Sequence, residues 1–139
     1  MFAKWKEKLA AKKANDHAVD ESRKWKKNAL FQDCLHAMRG SCTVAPMDLH
    51  EAAIAAVNIA IREGTWAELS GVSEDLFSGM VYLVWGEATL PVLRAPWAVA
   101  VENLKWIRIV DPNAFIVAET MDKILWFSVH DRISLYNIT

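Results

Sequence analysis

The chain has 139 residues, 53% of them hydrophobic and 24% charged. That is the length of one domain with enough apolar surface for a core, and it excludes a disordered chain. No uncharged apolar run reaches the ~18 residues of a membrane span. The first residues (Lys4, Lys6, Glu7, Lys8) are too charged for a secretory signal, and two cysteines, Cys34 and Cys42, are too few for a disulfide scaffold. A reduced, cytoplasmic setting is the expectation.

The net charge of −1 hides an asymmetry. Residues 1–28 hold nine cations and four anions, and the remainder holds seven cations and thirteen anions. A basic end and an acidic body present two electrostatic surfaces, one of which can face a charged partner.

Phe2 to Asn15 has helical periodicity, with Phe2, Trp5 and Leu9 on one face and lysines around the rest. Ala18 to Met38 is a second helix, with Trp25, Leu30, Phe31, Cys34, Leu35 and Met38 inward and Gly40 as its stop. Ser41 to Pro46 is a connector or short strand. A third helix starts at an Asp48 cap and ends at Gly64. Apolar residues wrap most of its circumference, which predicts burial on several sides. Thr65 to Ser78 is expected to be loop with one helical turn at Ser73-Glu74-Asp75.

Met80 to Trp85 has the composition of a buried strand, and Thr89 to Arg94 that of an edge strand weakened by Pro91. Pro96 opens a helix to about Trp106. Ala114 to Glu119, Lys123 to His130 and Ile133 to Ile138 are three strands whose short spacing requires antiparallel hairpins. The fold class is therefore α+β: about four helices packed on a C-terminal antiparallel β-meander of three to five strands. One domain spans residues 1–139, with the basic helix of residues 1–14 peripheral. Trp85, Trp106 and Trp126 are expected inside, and Trp66 partly exposed.

Catalytic signatures are sparse. Cys34, His36, Cys42 and His50 are close in sequence, but Cys34 and His36 point roughly 200° apart on a helix, which does not suit chelation. Ser128, His130 and Asp131 follow one another in a hairpin, whereas a serine triad draws on separated segments and an oxyanion hole. Neither phosphate-binding glycine motif occurs. The expectation is no catalytic residues, no metal and no cofactor. The lysines of residues 1–28 with Trp5 and Trp25 suit nucleic acid or an anionic membrane surface, the setting of a small adaptor or chaperone-like module. A pI near 6.4 and the lack of a recognition-helix motif weigh against that reading.

The run D-P-N-A-F-I-V-A-E (Asp111 to Glu119), then K-I-L-W-F (Lys123 to Phe127), then R-I-S-L-Y-N-I (Arg132 to Ile138) resembles the closing meander of small bacterial immunity proteins of contact-dependent and polymorphic toxin systems. The resemblance covers the last third of the chain. It implies a cytoplasmic, non-enzymatic protein that binds one toxin domain and blocks it, and it transfers no catalytic residue. An acidic body suits a basic, nucleic-acid-cutting partner. The partner-binding residues expected from the chain are Glu63, Trp66, Glu68, Glu74, Asp75 and Glu87, a stretch with no cation between Arg62 and Arg94. Loop carboxylates there would steer a cationic partner, and Trp66 would anchor it.

Overall fold

A computed structural model describes residues 26–137 apart from 88 and 129. The expected helix at Phe2–Asn15, the first part of the second helix, Trp5 and Trp25 lie outside the described residues. The protein is α+β, and the described residues form seven strands in one fully antiparallel sheet. The chain runs through helix α1 (26–37), β1 (Thr43–Val44), α2 (Met47–Glu63), β2 (Trp66–Leu69), β3 (Met80–Trp85) and β4 (Leu93–Pro96). It continues through α3 (Trp97–Glu102), α4 (Leu104–Val110), β5 (Ala114–Ala118), β6 (Lys123–Phe127) and β7 (Ile133–Asn137). The strand order is β1-β4-β3-β5-β6-β7-β2.

Register decides which residues meet. Trp66, Tyr136, Ile124, Val117 and Tyr82 are successive cross-strand partners, and strand alternation puts them on one face. Helix α2 covers that face with Ala53, Val57 and Ala60. Leu135, Leu125, Ile116, Leu83 and Leu93 form a row on the opposite face. Phe31, Cys34 and Met38 of α1 and its turn, Trp97 and Ala100 of α3, and Ile107 and Val110 of α4 cover it. The sheet is thus the middle of three layers.

Several elements differ from the sequence expectation, each for a local reason. Among the described residues the sheet has seven strands rather than three to five. Two of the additions are short edges, β1 against β4 and β2 against β7. Residues 66–69, expected as loop, form β2 because pairing with β7 satisfies their backbone. The helix expected from Pro96 to Trp106 is two short helices broken at Asn103, whose amide donates to the Val99 carbonyl at 2.8 Å. Pro46, not Asp48, precedes the first turn of α2, and Asp48 lies within that turn. Helix α2 is buried along one stripe only: Ile61 is 52% exposed and Ile59 is also exposed. An alanine-rich surface can lie close to the sheet on one side while its other isoleucines meet water.

The turns follow their residues. Gly40 (φ 81°) ends the α1 turn in the left-handed region, where a side chain is costly. Met121 (φ 62°) and Asp131 (φ 58°) take the same region in the hairpins β5–β6 and β6–β7. At Gly64, a Cβ would collide with the Tyr136 ring and the Ala60 carbonyl, so α2 can pass into β2 only with glycine here. Among the described residues, no helix is long and apolar enough to cross a membrane.

Strand β6 is interior, and Leu125 is 0% exposed. Leu125→Ala is expected to cost about 2–5 kcal/mol in urea unfolding, and Ile61→Ala to stay within about 0.5 kcal/mol. Equal losses at the two positions would overturn the one-sided docking of α2.

Candidate functional site

The two ends of the sheet carry different chemistry. One end holds Trp85, Ala114, Phe127 and Ile133, successive partners by register. Beside it, Lys27 of α1 donates to Asp111 at 2.8 Å and lies 3.7 Å from Glu87. Asp111 is 5% exposed, the one buried charged residue among those described. Its second oxygen accepts from the Asn113 backbone N–H at 2.8 Å. The hydrogen bond to Asp111 holds the Lys27 ammonium above the usual lysine value, against an opposing effect of burial. This arrangement fastens α1 to the loop that leads into β5.

The opposite end holds Met80, Pro96, Ala118 and Lys123. Residues 70–79 reach it by crossing the α1/α3/α4 face, where Val72, Leu76 and Phe77 pack. Phe77 lies against Trp97 with ring centroids 4.8 Å apart, and the Trp97 indole donates to the Glu74 carbonyl at 2.8 Å. Those contacts set Glu74 and Asp75 at the rim of a cleft of about 490 Å³, shared with Glu102 and floored by Phe77, Met80 and Val101. A second cleft, of about 400 Å³, adjoins it through Phe77, Gly79 and Met80 and carries Glu119 and Asp122.

Five exposed carboxylates therefore surround an apolar floor. Two cations join them from distant sequence. Arg94 pairs with Glu119 at 2.6 Å, and that hydrogen bond raises its pKa further. Lys123 donates to the Leu76 carbonyl at 2.9 Å, its ammonium 5.7 Å from the centre of the Phe77 ring. The cation-free run of sequence is thus not a cation-free surface.

Of the six expected partner residues, only Glu74 and Asp75 share this site. Glu63 ends α2 on the other face, and Glu68 lies on the edge strand β2. Trp66 is half-buried against Trp126 and Tyr136, both at 5.4 Å, which makes it a member of the core's rim rather than a free anchor. Glu87 stands at the far end beside Lys27. That pairing also takes Lys27 out of the basic pole expected for residues 1–28. Glu102, Glu119 and Asp122 were missed because they are separated in sequence. The one available signal was that Glu119 and Asp122 flank the β5–β6 turn, which antiparallel pairing brings to the start of β3.

Trp85 is buried and donates to the Ile107 carbonyl at 2.8 Å. Trp106, expected inside, is 40% exposed, because α4 turns Ile107 and Val110 inward instead. Trp126 is half-buried, stacked on Phe115 at 5.8 Å, and its indole N–H is buried without a partner.

The Ser128 hydroxyl faces the Arg132 carbonyl at 3.5 Å, and Asp131 pairs with Arg108 at 3.4 Å. The first closes the hairpin turn, and the second ties that turn to α4. Among the described residues, no three His, Cys, Asp or Glu side chains gather as a metal site. Cys34 is buried and His36 exposed on the same helix, on diverging sides. Burial, and then the neighbouring Cys42, push the Cys34 thiol up to about 12. Burial also raises Cys42, which is only half-buried. No family model matches the chain, and no curated protein is significantly similar to it.

Because the Lys27 value is raised, the stabilisation from its pair is fully present below the ordinary pH 10.5 and is lost as pH climbs through the raised value. Lys27→Met is expected to cost about 1–2 kcal/mol at neutral pH, discounted because the lysine is partly exposed. As pH rises from neutral, the difference from the parent closes only in the alkaline range. A difference that closes at neutral pH would refute the pairing. In the folded protein, iodoacetamide is expected to alkylate Cys42 at least about tenfold faster than Cys34. Faster labelling of Cys34, followed by peptide mass spectrometry, would contradict the docking of α1.

Proposed function

We propose that this chain is a cytoplasmic, non-enzymatic binding protein of the immunity type, which neutralises a cognate toxin domain by direct contact. The observation that supports this reading is the pair of adjoining clefts with Glu74, Asp75, Glu102, Glu119 and Asp122 around an apolar floor. Exposed carboxylates attract a basic partner over the Debye length of ~8 Å and raise its encounter rate. Phe77, Met80 and Val101 then offer apolar area to be buried once the partner has docked. A toxin that grips nucleic acid needs a basic cleft. An acidic, form-fitting surface seated there excludes the polyanion by occupying the same charges.

The reading expects a neighbouring gene to encode a toxin domain; co-expression with that domain, and purified-protein association kinetics, test it. The chain is expected to protect cells and to bind with a rate that falls as salt rises. The triple variant Glu74→Lys, Asp75→Lys and Glu102→Lys is expected to slow association at least about tenfold with the fold intact. The control pair Glu63→Lys and Glu68→Lys should leave the rate near the parental value. If the control slows binding and the triple variant does not, the interface is the β2 side. If the parental chain neither binds nor protects, the immunity reading is wrong.

A further inference from the structure

We draw no further inference here: the strongest candidate, the apolar cleft of about 400 Å³ between α2 and the sheet walled by Ile54, Ile61, Phe115 and Trp126, carries nothing because nothing in the structure shows what covers it.

Discussion

Strands β3, β5 and β6 are apolar on both faces, and the rest of the structure follows from that. Leu83, Ile116 and Leu125 look one way while Tyr82, Val117 and Ile124 look the other, and each is buried. A hairpin meander with one wet face would alternate apolar and polar residues. Here both faces need cover, so helices must lie on both sides. Helix α2 leaves the β1 edge and delivers the chain to the β2 edge, which lets one 17-residue helix shield a whole face. Helices α1, α3 and α4 share the other, with α1 tied there by Phe31 edge-on to Trp85 at 5.5 Å.

Charge is used differently at the two ends of this sheet. Asp111 and Glu87 receive Lys27, so their charge serves cohesion. A buried carboxylate left without its partner would carry a desolvation cost, which is the reason α1 must seat with Lys27 at that point. At the other end, Glu74, Asp75 and Glu102 stand exposed around an apolar floor. Charge that is not consumed inside the fold is available to an outside partner, so the exposed end is where the proposed binding is placed. Arg94 and Lys123 moderate that field without cancelling it, since they set two cations against five carboxylates.

The tryptophans divide by what their indole N–H can reach. Trp85 and Trp97 are buried because each finds a backbone carbonyl, of Ile107 and Glu74 respectively. Trp66 and Trp126 pack with Tyr136 and Phe115 at the edge of the α2 layer. Four of the five described tryptophans therefore serve packing. They bring large apolar area to a chain whose covering helix α2 contributes mostly small side chains.

Local pattern was enough to read the α+β class, strands β3, β5, β6 and β7, and helices α1 and α2. Continuous apolar runs such as Met80–Trp85 and helical spacing in Leu30, Phe31, Cys34 and Met38 act over a few residues, so their signal is complete within the segment. Strand β2 was not legible, and β1 was legible only as a connector or short strand, because a two- or four-residue edge exists only through the neighbour that pairs with it. The one-sided burial of α2 and the exposure of Trp106 were also hidden, since a composition rich in apolar residues does not say which stripe meets the sheet. The candidate site was half visible. Glu74 and Asp75 announce themselves as adjacent loop carboxylates, but Glu102, Glu119 and Asp122 join them only when antiparallel pairing folds three separate turns to one end of the sheet. Likewise Glu87 looks identical to Glu74 in the sequence, and only the tertiary approach of Lys27 turns one into an internal partner and leaves the other facing water.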